Sequence, residues 1–183
     1  MTTVLVAYAS RMGSTAEIAE TIGQVLRESG LRVRVVPCAE VESVDDDDAA
    51  VVGSALYADR WMHDAVAFLR RFSEQLAERP TWLFQSGPCG DDATTQQVDT
   101  PRQVARLVAR YGLRPPVTFG GRLHPSAAWD RMSRWMATGD RAGDFRDWDA
   151  LRAWARWCAR SLVDTSPRGL SPELAAAMGE PTR

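Results

Sequence analysis

The sequence predicts an α/β domain built on a doubly wound, five-stranded parallel sheet with helices on both faces. Strand-like apolar runs alternate along the chain with segments of helical periodicity, which favours right-handed crossovers between parallel strands. Several of these strands are apolar throughout, as expected for strands buried on both faces. With 183 residues, 45% of them hydrophobic, the chain can bury one sizeable core. We expect one domain at residues 1–163, an insertion at 122–146 after or within the fifth strand, and a tail at 164–183.

Periodicity and turn residues define the individual elements. Ile18, Ile22 and Leu26 recur at helical spacing after a first apolar strand, and Gly30 suits the residue just beyond that helix. Pro101 suits the first turn of a later helix. The predicted order is strand 4–9, a helix from 14, strand 31–36, strand 49–54, helix 61–76, strand 81–86, helix 101–111, strand 116–119 and helix 147–163.

The turn at residues 10–15, between the first strand and the first helix, has the chemistry of a phosphate site. Free N–H groups and the helix dipole meet there, Gly13 allows a sharp bend, and Ser10, Ser14 and Thr15 add hydroxyl donors. The chain contains no lysine, which excludes a P-loop, and the single glycine of the turn excludes the dinucleotide fingerprint. An ordinary strand–helix turn without a ligand is the alternative.

Composition excludes several classes of function. A formal net charge of −2 gives no reason to expect nucleic acid as a partner. Three widely spaced cysteines and two histidines form no usual zinc site, so we expect no metal and a reducing, cytoplasmic setting with free thiols. The first residues lack a signal-like region, and no apolar run approaches the ~20 residues of a membrane span. The acidic run at residues 45–48 is expected to be a solvated corner.

The loops after strands one, three and four should meet at one edge of the sheet, where ligands bind to doubly wound folds. Gly53 is small enough to let a ring approach the backbone. Tyr57 and Trp61 offer flat faces for an aromatic ligand. Each also has a structural interpretation, Tyr57 as a half-buried core aromatic and Trp61 as a helix residue packed on the sheet.

Four short segments resemble a known family. SRMGST at 10–15 resembles the flavodoxin signature Ser/Thr-x-x-Gly-x-Thr, and GSALY at 53–57 resembles its third-strand segment. With GGRL at 120–123 and DFRDW at 144–148, the chain is most similar to the menaquinone-dependent protoporphyrinogen oxidase branch of the flavodoxin superfamily. The resemblance spans roughly residues 3–163.

The resemblance implies a flavodoxin-like sheet of order 2-1-3-4-5 and an FMN cofactor whose phosphate lies in the first loop. It also implies oxidation of a porphyrinogen with transfer of electrons to a membrane quinone. No buried acid–base pair is recognisable, so no catalytic side chain is assigned, and the sequence does not indicate an oligomeric state. The residues expected to bind FMN are Ser10, Arg11, Met12, Gly13, Ser14, Thr15, Ser54, Ala55, Leu56, Tyr57, Trp61, Ser86, Gly87, Pro88, Cys89 and Gly90.

The insertion carries an apolar helical face beside basic residues. Residues 122–141 hold four arginines and two aspartates, a formal charge of +2. Such a helix could rest on an anionic lipid surface, cover a flat apolar substrate, or pack over the sheet edge. We therefore expect a peripheral contact with the inner face of the cell membrane through 122–141. The apolar face consists of Trp129, Met132, Trp135 and Met136.

Three functions are compatible with these features. The first is an FMN-dependent oxidoreductase acting on a small redox substrate, with porphyrinogen and quinone as candidates. The second is a flavodoxin-type electron-transfer protein without a substrate of its own. The third is a flavin-free interaction module. Flavodoxins often have glycine where Ala58 stands, and alanine disfavours positive φ, so we expect this turn to differ from theirs.

Overall fold

The computed structural model describes residues 1–87, 89, 98–123 and 143–163. Within these ranges eight strands and four α-helices are present. The strands are β1 Thr3–Ala9, β2 Arg32–Pro37, β3 Ala49–Tyr57, β4 Arg60–Trp61, β5 Thr81–Ser86, β6 Val117–Phe119, β7 Arg122–Leu123 and β8 Gly143–Asp144. The helices are α1 Ser14–Glu28, α2 His63–Ala77, α3 Arg102–Tyr111 and α4 Trp148–Val163.

Five parallel strands form the main sheet in the order β2-β1-β3-β5-β6. This order confirms the predicted 2-1-3-4-5 arrangement, because β5 and β6 are the fourth and fifth parallel strands along the chain. The short strand β4 joins one end of β3 in antiparallel fashion. Strands β7 and β8 form a separate antiparallel ribbon at the two ends of the predicted insertion.

Alternating side chains of the central strands fill two core layers. Val4 and Val6 of β1 face the layer beneath α1 and α4, whereas Leu5 and Ala7 face the layer beneath α2 and α3. All four side chains are fully buried. The sheet is therefore covered on both faces, as the continuous apolar runs of its strands predicted.

A tight hairpin replaces the predicted start of the second helix. Leu56 pairs with Trp61 and Tyr57 with Arg60, so the turn has only two central residues. Ala58 and Asp59 have φ of 48° and 56°, the left-handed geometry that two-residue hairpins require. Left-handed backbone costs about 1–2 kcal/mol for a residue with a Cβ. The helix consequently begins at His63 rather than Trp61, and Ala58 adopts a positive φ despite this cost.

Two further sequence interpretations hold only in part. The ring that Gly53 accommodates is that of Phe84 on the neighbouring strand, since a Cβ at Gly53 would collide with it. The acidic run is only partly solvated, because Asp47 is buried and accepts a 3.0 Å hydrogen bond from Nε of Arg34. Gly53 and Asp47 therefore serve the packing of the fold.

Candidate functional site

The loop between β1 and α1 lies at the carboxyl edge of the sheet. Gly13 is the residue before the helix, with φ of 84°, and no side chain caps the helix N-terminus there. The amide of Glu17 donates to the carbonyl of Gly13 at 3.0 Å, which closes the first helical turn. The N–H groups ahead of it have no carbonyl partner within the helix. The loop therefore presents backbone donors and the positive end of a helix dipole together.

Two hydroxyl groups in this loop are buried and unpartnered. The Oγ atoms of Ser10 and Ser14 are shielded from solvent, yet neither has a hydrogen-bond partner in the described part of the chain. An unsatisfied buried polar group costs about 1–3 kcal/mol, so such groups call for a specific explanation. A bound anion at this helix N-terminus would supply acceptors for both hydroxyls.

A third hydroxyl joins the loop to the end of β5. Oγ1 of Thr15 and Oγ of Ser86 share a 3.0 Å hydrogen bond, and both residues are almost fully buried. The two residues are far apart in the sequence. This bond therefore fixes the position of the loop at 10–15 relative to the loop that follows β5.

Close backbone packing joins the other loops at the same edge. A Cβ at Gly87 would lie 2.7 Å from Cβ of Leu56, and a Cβ at Gly121 would lie 3.1 Å from Cα of Gly87. The amide of Gly87 also donates to the carbonyl of Phe119, at 3.4 Å. The end of β3 and the segments that follow β5 and β6 are therefore in contact, and a side chain at Gly87 would require a neighbour to move.

Tyr57 and Arg11 connect the first loop with the hairpin. The guanidinium carbon of Arg11 lies 5.4 Å from the centre of the Tyr57 ring, a cation–π arrangement. Tyr57 is half-buried, and Arg11 is exposed. Of the two aromatic residues predicted to stack on a flavin, Tyr57 is the one whose ring remains partly accessible at this edge.

Ser54 and Trp61 are engaged in the structure of the hairpin. Oγ of Ser54 accepts from the amide of Met62 at 2.9 Å and donates to the carbonyl of Ala55 at 2.9 Å. Trp61 is only 3% exposed, and its indole N–H donates to Oε1 of Gln85 at 3.0 Å. Both side chains are therefore engaged with the protein, and Trp61 is a buried strand residue rather than the helix residue that its structural interpretation assumed.

The remaining predicted residues divide into three groups. Met12, Ala55 and Leu56 are half-buried beside the loops described above. Cys89 is half-buried, and burial, with a smaller contribution from the charge of Asp144, raises the pKa of its thiol to about 11, so the thiol is neutral at pH 7. Pro88 and Gly90 lie outside the described residues.

Sequence reasoning missed an ionic network at the outer side of the first loop. Nη2 of Arg122 lies 2.6 Å from Oε1 of Glu17, and Nη1 of Arg146 lies 2.8 Å from Oε2 of Glu17. Arg146 also binds Asp144 through Nε at 2.7 Å and donates to the carbonyl of Ser14 at 3.4 Å. The network thus links the β7/β8 ribbon to the first turn of α1.

Arg146 is the buried centre of this network. Its side chain is only 3% exposed, and its guanidinium lies 4.3 Å from the centre of the Trp148 ring. Arg122 and Arg146 lie within the segments 120–123 and 144–148 that resemble the flavodoxin family. This resemblance was the one feature of the sequence that pointed to them. Sequence periodicity gave no sign that they would meet Glu17, because the contacts span more than 100 residues.

The network shifts the ionisation of its members. The arginines outweigh the opposing effect of burial and lower the pKa of Glu17. Hydrogen bonding and charge from Arg146 lower the pKa of Asp144 against a smaller effect of burial. Burial would lower the pKa of Arg146, but its two carboxylate partners raise it. All three groups are therefore charged at neutral pH.

The described residues contain no group of side chains that could hold a metal ion. None of the described helices is both long and apolar enough to cross a bilayer.

The apolar face at 129–136 lies outside the described residues, as does the tail at 164–183. Contact with a membrane through 122–141 stays a prediction, although Arg122 at its start is already paired with Glu17.

Comparison with known proteins identifies the family. The family described as flavodoxin domain matches residues 5–125, which include the first loop, the hairpin and the sheet. The chain belongs to the flavodoxin domain family. Membership supports the FMN cofactor that the sequence predicted. The match is to the family as a whole and does not reach the protoporphyrinogen oxidase branch.

Solved structures agree on the fold. A flavodoxin from the domain Archaea is 15% identical with a TM-score of 0.57, and the alignment covers 88% of this chain and 99% of that one. A flavodoxin of Streptococcus pneumonia TIGR4 is 21% identical with a TM-score of 0.54, covering 87% and 99%. Rubredoxin oxygen:oxidoreductase from Desulfovibrio gigas is 18% identical with a TM-score of 0.58, covering 88% of this chain. This chain spans only 36% of the length of that oxidoreductase.

Asp144→Asn should reveal the ionic network through the pH dependence of stability. Because the pKa of Asp144 is lower in the folded than in the unfolded protein, its contribution is complete above the unfolded pKa of about 4 and is lost as pH falls through the folded value. Urea unfolding from pH 7 to pH 2.5 measures the difference between wild type and variant. We expect a difference at pH 7, moderated because Asp144 is 40% exposed, that shrinks below about pH 4.

Asp149→Asn is the matched control, because Asp149 is fully exposed near the same segment and its ion pair is a 3.9 Å surface contact with Arg152, of a kind that contributes little. It should change the unfolding free energy little at any pH. A difference between wild type and Asp144→Asn that is constant across this pH range would contradict the assignment.

Proposed function

We propose that this protein is an FMN-dependent redox protein that holds the phosphate of its flavin in the loop at 10–15. The observation that carries the proposal is the pair of buried, unpartnered hydroxyl groups of Ser10 and Ser14 at the N-terminus of α1. Membership of the flavodoxin domain family supports the identity of the ligand.

The donor set suits a phosphate dianion. Hydroxyl groups and backbone N–H groups both donate to phosphate oxygens, and a charged acceptor strengthens each bond. Thr15 and Ser86 share one hydroxyl proton between them, which leaves the other proton available to a ligand. Gly13 leaves open space, since nothing lies within 4 Å of the Cβ that another residue would place there. The first loop can therefore hold the phosphate without a lysine.

The flavin ring is proposed to lie between the hairpin and the loop after β5. Tyr57 offers a partly accessible aromatic face there. Bound FMN supplies the redox chemistry, and the residues of this chain bind it, orient it and limit the access of water. Trp61 and Ser54 act indirectly, because they fix the hairpin that carries Tyr57.

For the substrate, we propose oxidation of a porphyrinogen coupled to reduction of a quinone. The support is the resemblance of residues 120–123 and 144–148, which the ribbon brings side by side through pairing of Arg122 with Asp144. The inserted residues, including 122–141, would then contact the flat substrate or the membrane that contains the quinone. A flavodoxin-type electron carrier and a flavin-free interaction module are the alternatives.

Ser14→Ala should separate ligand binding from folding. The change removes a hydroxyl that has no partner in the described structure, so the apoprotein should be as stable as wild type or slightly more stable. The affinity for FMN should fall about tenfold to a hundredfold, because one hydrogen bond to a charged group contributes about 1.5–3 kcal/mol. Fluorescence titration and thermal unfolding of the apoprotein measure the two quantities.

Ser161→Ala is the control for this variant, because Ser161 is an exposed serine on α4. Unchanged FMN affinity in both Ser10→Ala and Ser14→Ala would show that the phosphate is bound elsewhere.

We expect Tyr57→Ala to lower the affinity for FMN and Trp61→Ala to lower the stability of the fold. Loss of the Tyr57 ring should weaken FMN binding several fold and leave the melting temperature nearly unchanged, because stacking contributes about 1 kcal/mol. Loss of the buried Trp61 ring should cost about 3–5 kcal/mol of stability. Titration with FMN and calorimetry distinguish the two, and a Tyr57→Ala variant of wild-type FMN affinity would exclude ring contact at this residue.

The three candidate functions differ in spectrum and turnover. An absorbance spectrum of the purified protein should show one FMN per chain, and a colourless protein that takes up no FMN would favour the interaction module. With FMN bound, we expect protoporphyrinogen to be oxidised when a menaquinone analogue is supplied. A flavin that accepts and donates electrons without this turnover would instead identify an electron carrier.

A further inference from the structure

A carboxylate lies where an anionic ligand is proposed to bind. Glu17 is the fourth residue of α1, so it lies about 5 Å along the helix axis from Ser14. A negative charge in the first turn stabilises the helix through its dipole, but it repels a second anion at the same terminus. Unless Glu17 is neutralised, it opposes binding of a phosphate dianion.

Two arginines neutralise this carboxylate. Arg122 approaches both carboxylate oxygens, at 3.1 and 2.6 Å, and Arg146 approaches Oε2 at 2.8 Å. Arg146 forms a second ion pair with Asp144, whereas the ion pair of Arg122 is with Glu17. Guanidinium groups suit this arrangement because their planar donors match a carboxylate in a fork-like geometry.

The arginines are supplied by the ribbon and not by the sheet. Arg122 lies on β7, and Arg146 follows β8. The amide of Phe145 donates to the carbonyl of Gly121 at 3.0 Å, and a Cβ at Gly120 would collide with the carbonyl of Phe145. These backbone contacts fix the ribbon beside α1 and so determine where the two charges lie.

We propose that Arg122 and Arg146 are positioning residues for FMN binding, which cancel the charge of Glu17 and thereby allow the loop at 10–15 to accept the phosphate. This inference rests on the proposed function, since it assumes that a phosphate binds there. It assigns to the ribbon a role in the affinity for the cofactor, separate from any role in contacting a substrate.

A pair of ligands isolates this effect. FMN and riboflavin share the ring and the ribityl chain, and only FMN has the phosphate. A change in charge near the phosphate should alter the affinity for FMN and leave that for riboflavin unchanged. A general loss of structure should weaken the binding of both ligands.

The experiment is a double-mutant cycle with Arg122→Gln and Glu17→Gln. Arg122 is partly exposed, at 32% of its side chain, so its replacement should be tolerated in the fold. We expect Arg122→Gln to weaken FMN binding about threefold to tenfold with riboflavin unaffected. Glu17→Gln should bind FMN at least as tightly as wild type, and the double variant should recover most of the affinity that Arg122→Gln loses.

Arg27→Gln is the control variant. It removes the same charge from the far end of α1, about 15 Å from Glu17 along the helix axis. It should leave both affinities near their wild-type values, and fluorescence titration at one fixed salt concentration measures all of them.

The possible failures are distinguishable. If wild type binds FMN but Arg122→Gln binds it equally well, or loses FMN and riboflavin in the same proportion, the inference is overturned and the proposed function stands. A double variant as weak as Arg122→Gln also overturns it. If wild type binds no FMN, the proposed function fails and the inference fails with it.

Discussion

The buried N-terminus of α1 is the constraint on which this site depends. A strand ends and a helix begins within a few residues at the edge of the sheet, and two hydroxyl groups of the connecting turn are shielded from solvent. Ser10 and Ser14 keep buried oxygen atoms without partners, and Thr15 is held by Ser86. This arrangement is unfavourable for the protein alone and becomes favourable when an anion fills the turn.

The rest of the edge is arranged around this turn by close backbone contacts and by charge. Glycines at 87 and 121 let neighbouring segments approach until their backbones touch, so that the loops form one surface. On the outer side, the ribbon brings two arginines to Glu17, which keeps the carboxylate of the first helical turn neutralised. The hairpin after β3 completes the edge and fixes Tyr57 beside Arg11.

Local signals in the sequence were sufficient for the fold and for the first loop. Apolar runs and helical spacing predicted the five parallel strands, because the central strands are buried on both faces, and the resemblance to flavodoxins implied their order. They failed where contacts outside the local sequence decide the outcome: Trp61 is hydrogen-bonded to Gln85 on β5, and the partners of Glu17 lie more than 100 residues away. The positive φ of Ala58 shows the same limit, since strand pairing overrides a residue's own preference.

A crystal structure of the protein with FMN would test the central claim most directly. The account predicts that the phosphate accepts hydrogen bonds from the hydroxyl groups of Ser10 and Ser14 at about 2.5–3.0 Å. Arg122 and Arg146 should remain on Glu17. A phosphate bound away from the loop at 10–15, with both hydroxyl groups still unpartnered, would contradict the account.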